Sequence, residues 1–196
     1  MQRFTKLLVI GSAFLSVLVA GTGVASADDN DARNYFGIRS GSIFGGGGSG
    51  PIPRTTVNFP ENYAPGTIIV NTAERRLYLV LAGGQALRYG IGVGRDGFRW
   101  GGTHRISAKK EWPSWTPPSQ MLRRRPDLPR HMAGGVDNPL GARAMYLGST
   151  LYRIHGSNEP ETIGQAVSSG CFRMTNEDVT DLYNRVSVGA TVVVKN

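Results

Sequence analysis

The stretch RAMYLGSTLYRIHGSNEPETIGQAVSSGCFRM, residues 143–174, decides how the chain is read. Its front half holds two short β-rich runs, Arg143–Leu147 (RAMYL) and Leu151–His155 (LYRIH), with a turn at Gly148-Ser149-Thr150 between them. His155 falls at the end of a strand, a rigid place from which to aim an imidazole. The rear half is a glycine- and serine-rich segment around Cys171, the only cysteine of the chain, sixteen positions after His155. Asn158–Val167 is expected to be a loop between them.

Downstream, Thr175-Asn176-Glu177-Asp178 has the cap-x-x-acid form of a helix start. Val179, Leu182, Tyr183 and Val186 follow at the spacing of one apolar helix face. Val188-Gly189 ends that helix, and Ala190–Val194 (ATVVV) reads as a closing strand. Upstream, Thr67–Asn71, Arg75–Leu81 and Gln85–Val93 read as three successive strands, which suggests an antiparallel meander. His104–Ala108 is a further strand, after a glycine-rich loop holding Phe98 and Trp100. Lys109–Arg130 is irregular, with five prolines, Trp112, Trp115 and a cationic cluster at Arg123-Arg124-Arg125. It reads either as a surface excursion or as a wall over a site.

The N-terminus carries an export pattern. Arg3 and Lys6 precede the fourteen-residue apolar run Leu7–Ala20, and Ala25-Ser26-Ala27 has the form of a cleavage site. Residues 1–27 are therefore expected to be a secretory signal peptide, the chain's one transient contact with a membrane. An uncleaved anchor is the alternative, but the weakly apolar second half (GTGVASA) argues against it. Residues 28–65, with GSIFGGGGSG and four prolines at 51–65, are expected to be a flexible tail or linker. The folded domain is then residues 66–196.

Net charge is +8, and removing Arg3 and Lys6 with the leader leaves +6. That favours an anionic partner such as an acidic wall polymer. No basic stripe interleaved with aromatics supports nucleic acid as that partner. His104, His131, His155 and Cys171 include no pair at metal-ligand spacing, so neither a metal nor a cofactor is expected.

A lone cysteine in an exported chain is either an intermolecular disulfide partner or a thiol kept for its reactivity. His155 is the candidate base for Cys171, and a backbone carbonyl can hold its second ring nitrogen. Ser168-Ser169-Gly170 allows a tight turn that aims backbone N–H groups, including that of Cys171, at a developing oxyanion. Arg173 is expected to bind a substrate carboxylate or brace the loop. Each residue also has a structural reading: a buried apolar thiol, a satisfied strand histidine, an Arg173 paired with Asp178 or Glu177. Glu159 and Glu161 lie in the loop.

His155-Gly156-Ser157-Asn158-Glu159-Pro160, Ile163-Gly164 and Ser168-Ser169-Gly170-Cys171-Phe172-Arg173-Met174 together resemble the signature of the L,D-transpeptidase catalytic domain (YkuD-type, ErfK/YbiS/YcfS/YnhG-like). Asn138-Pro139-Leu140-Gly141 with Arg143–Leu147, and the helix after Thr175, extend the match across roughly Gly66 to Val194. Many members carry histidine before the cysteine. Here the Ser-Ser-Gly-Cys version places Gly170 there, leaving His155 as the one candidate base.

The resemblance implies a mainly β fold, a YkuD-like sandwich of mixed sheets with one short helix in the C-terminal half. It implies cell-wall chemistry on peptidoglycan stem peptides. Cys171 would attack the diaminopimelate carbonyl of a tetrapeptide stem, release D-alanine, and pass the acyl group to an amine. That amine would be another stem's, giving a 3→3 cross-link, or a lysine of an envelope protein. Water as acceptor would make the enzyme an L,D-carboxypeptidase, and a non-catalytic wall-binding module is the other alternative. Gly156 would orient His155 through its carbonyl, and Arg173 would support the site. Tyr152, Met145, Tyr146, Ser169 and Gly170 would line the substrate pocket. Acylation of the thiol by carbapenems is a further expectation, as is a location in the periplasm or wall.

Overall fold

The computed structural model describes residues 52–196. The expected signal peptide and most of the expected linker lie outside the described residues. Within them, eleven strands form a nine-stranded mixed sheet and a two-stranded parallel ladder.

The first half of the sheet is the meander of β2 (Ile68–Asn71), β3 (Arg76–Val80) and β4 (Gln85–Gly90), all antiparallel. The closing strand β11 (Thr191–Lys195) joins β2 in parallel and pairs on its other side with β6 (Gly102–Glu111). The second half continues through β7 (Arg143–Leu147), β8 (Arg153–His155) and β10 (Phe172–Arg173). β6 belongs to both halves, and its pairing shifts register between Ile106 and Ala108. A bulge of that kind bends and twists a strand, which lets one strand serve two faces of a sandwich. Ile68, Leu77 and Leu79 from one half share a core with Met145, Ile154 and Phe172 from the other.

The C-terminal helix runs over Asn176–Arg185. The Thr175 hydroxyl accepts from the Asp178 N–H at 3.1 Å, the cap its sequence predicts. Val179, Leu182 and Val186 close the core from that side. Lys109 Nζ donates to the carbonyls of Tyr183 and Val186, both at 2.6 Å, satisfying oxygens that the helix end leaves without partners.

Two expectations need correction. Residues 52–65 are not all linker: β1 (Thr55–Asn58) pairs antiparallel with β4, and Phe59 is buried. The reason lies in β2. Ile68 and Val70 face the main core while Ile69 faces the opposite side, with Val80 and Ala86. That second apolar face needs a cover, and Val57, Phe59 and Tyr63 supply it. Second, the C-terminal helix (α2) is not alone. A six-residue helix, α1 (Ser119–Arg124), lies inside the proline-rich excursion, where Trp115, Met121, Leu128 and Leu140 make a small core of their own.

The loop expected at Asn158–Val167 contains a single 3₁₀ turn at Pro160–Thr162 and the start of β9 (Ala166–Ser168). β9 pairs in parallel with β5 (Val93–Gly94), so the segment expected as one third strand is split between two ladders.

Candidate active site

Strand parity builds the site. In the parallel β8–β10 pair, Ile154 opposes Phe172 and His155 opposes Arg173. Ile154 and Phe172 point into the core. Successive side chains alternate between faces, so Arg153, His155, Cys171 and Arg173 share the other face. Cys171 stands one residue before the paired run, beside Arg153 and diagonal to His155. Such diagonals span about 7–8 Å between backbones, within reach of an aromatic side chain.

His155 is 1% exposed, and its Nδ1 lies 2.6 Å from the Gly156 carbonyl oxygen. A carbonyl only accepts, so Nδ1 carries the hydrogen, and Nε2 keeps its lone pair in the neutral ring. Nε2 is buried with no hydrogen-bond partner. Burial first, then the Arg173 guanidinium, hold the His155 pKa down to about 3. Burial pushes the Cys171 thiol up, against the pull of Arg153. At neutral pH the two groups are therefore an uncharged thiol and an uncharged imidazole, with Sγ directed at the Leu151 carbonyl oxygen at 3.9 Å and Nε2 free of any hydrogen bond to it.

The Gly170 turn delivers the thiol. Gly170 has φ +107, and a Cβ there would lie 2.5 Å from the Tyr152 ring. A side chain there would strain the backbone and push on the Tyr152 ring, so the turn favours glycine before Cys171. Ser168 Oγ ties the turn by donating to the Cys171 carbonyl at 2.6 Å and accepting from the Gly170 N–H at 3.1 Å. Trp100 Nε1 donates to the Gly170 carbonyl at 2.7 Å while its ring stacks on Tyr152 at 4.2 Å.

Cys171 opens into a cavity of about 260 Å³, with Tyr152, Arg153 and Ser169 on its wall. Pro118, Gln120, Met121 and Arg124 close it from the excursion, which thus forms a wall of the site. Among the described residues no three His, Cys, Asp or Glu side chains converge as metal ligands.

The predicted residues divide in this frame. Tyr152 and Ser169 line the cavity; Gly170 shapes the turn behind it. Met145 does not line it. It opposes Ile154, shares that residue's core-facing parity and is fully buried. Tyr146 opposes Arg153 and backs that guanidinium, with Cζ 5.3 Å from the ring centroid. Arg173 pairs with neither Asp178 nor Glu177. It pairs with Glu159 at 3.0 Å, both side chains buried, so it braces the loop and does not reach the cavity. Trp100 and Arg153 lie outside the motif but belong to the site. Parity with His155 points to Arg153, whereas Trp100 lies 70 positions from its partner and leaves no local signal.

Residues 65–194 match the YkuD family, described as the L,D-transpeptidase catalytic domain. The chain belongs to the YkuD family of L,D-transpeptidases. The Escherichia coli protein named probable L,D-transpeptidase YbiS is 39% identical over 152 residues, covering 70% of this chain and 49% of that protein. The chain thus spans about half the length of that curated relative. A solved structure from Brucella melitensis, described as a probable carnitine operon oxidoreductase, is 48% identical and covers 74% of this chain and 94% of that one, with a TM-score of 0.50. An L,D-transpeptidase from Mycobacterium smegmatis is 17% identical over 66% of this chain and 58% of its own, with a TM-score of 0.54, a likeness of fold. The mainly β fold with mixed pairing is one this chain has in common with that solved L,D-transpeptidase.

Proposed function

We propose that this chain is an exported peptidoglycan L,D-transpeptidase that works through a thioester on Cys171. The observation that carries the reading is the shared face of Cys171 and His155, with the imidazole fixed as an Nε2 base by the Gly156 carbonyl. As Cys171 Sγ attacks the diaminopimelate carbonyl of a tetrapeptide stem, its proton passes to His155 Nε2. The oxyanion is met by the backbone N–H of Cys171, since the Gly170 N–H is held by Ser168 Oγ. Collapse breaks the C–N bond, the imidazolium returns the proton to the leaving amine, and D-alanine departs. An acceptor amine then attacks the thioester, His155 takes its proton, and the thiol is regenerated.

The leader expected at residues 1–27 would place the enzyme at the periplasmic wall, and a net charge of +6 beyond it suits carboxylate-rich stems. A stem amine as acceptor gives a 3→3 cross-link, a protein lysine gives wall anchoring, and water gives hydrolysis. Tetrapeptide muropeptides offered with and without a lysine peptide separate these by product mass. The reading predicts D-alanine release and an amine-linked product. Activity that survives in Cys171→Ala would overturn it.

A further inference from the structure

Arg153 is a cation of the cavity wall that no carboxylate pairs with among the described residues. Arg143 pairs with Glu111 and Arg173 with Glu159, but Arg153 has no carboxylate partner among the described residues. Its Nε is buried without a hydrogen-bond partner. The Tyr146 ring holds the guanidinium from one side without cancelling its charge. A half-buried, propped, uncompensated guanidinium on a cavity wall is suited to an incoming anion. Arg124 also lines the cavity, but it stands exposed on α1, where water screens it.

The register puts Arg153 directly beside Cys171. A substrate carbonyl at Sγ would have an adjoining unit within reach of the guanidinium, since both groups line one cavity. In a stem cut before its last residue, that unit ends in a carboxylate. We propose that Arg153 binds the carboxylate of the departing residue and selects donors whose scissile bond is followed by a free C-terminal acid. The proposal rests on the transfer reaction above. It assigns a specificity residue to that site, with Arg153 forking onto both carboxylate oxygens.

The test uses the full chain and two matched tetrapeptide donors, one ending in D-alanine and one in D-alanine amide. Release of the terminal residue is followed for wild type, Arg153→Gln and Arg153→Lys. Wild type should favour the acid by about 10- to 100-fold, the worth of a charge-assisted hydrogen bond. Arg153→Gln should bring the ratio near one, and Arg153→Lys should keep part of it. A wild type that treats acid and amide alike would overturn the assignment without any variant. So would an Arg153→Gln that slows both donors equally, since Arg153 would then act on the thiol or the fold. Failure of wild type to turn over either donor would instead strike the transfer reaction, and the assignment with it.

Discussion

Arg173 donates to Glu159 at 3.0 Å, with the two side chains 3% and 5% exposed. This ion pair crosses from β10 to the loop after His155, so it locks together the two segments that carry the base and the thiol. Removing one member leaves a buried charge alone, which typically costs about 3–5 kcal/mol. Glu159→Gln or Arg173→Met should each lower stability by that order in denaturant titrations. Glu159→Gln combined with Arg173→Met should cost less than the sum of the two. Additive losses would mean that the pair is not coupled.

His155 is held at about 3 by burial and by Arg173, so its base form is present throughout the neutral and mildly acidic range. Acylation should stay flat from about pH 8 to about pH 5, without the inflection near 6.5 expected of a free imidazole. An inflection at 6–7 would contradict the buried neutral base. The same shift has a stability consequence. The unfolded chain protonates this histidine below about 6.5, while the folded one resists until about 3. Its contribution is full above 6.5 and is lost as pH falls through that window. His155→Ala should slow acylation by about 100-fold or more, the worth of a positioned base.

Gly170→Ala places a methyl against the Tyr152 ring at φ +107. Strain of this sort costs about 1–3 kcal/mol, and the turn carries the thiol, so stability and acylation should fall together. Adding Tyr152→Ala should return part of the stability but not the acylation, because Trp100 loses its stacking partner. Normal acylation by Gly170→Ala would show that the turn tolerates a side chain.

Much of the site is legible in sequence because its logic is local. Thr175 and Asp178 are three apart, Arg143–Leu147 is a strand with turns on both sides, and the His155–Gly156 pair is contiguous. What is not legible depends on distant partners. Nothing near Arg173 favours Glu159 over Glu177, and Met145 and Tyr146 differ only in parity, which the β7–β8 register sets. The strand before residue 65 hides behind prolines, although the uninterrupted Ile68-Ile69-Val70 run already demands apolar cover on two faces.

That cover is testable. Phe59 is buried against Ile69, Val80 and Ala86, and its ring lies 5.2 Å from that of Tyr78. Phe59→Ala in the full chain should cost about 3 kcal/mol, the lower end for a buried phenylalanine. A linker residue would change nothing.

The central claim is that Cys171 carries the acyl group. The most direct measurement is intact-mass analysis of the protein after brief exposure to a tetrapeptide-bearing muropeptide. The account predicts an adduct equal to the donor minus its terminal D-alanine, on wild type and not on Cys171→Ala. An adduct or D-alanine release that persists in Cys171→Ala would contradict it.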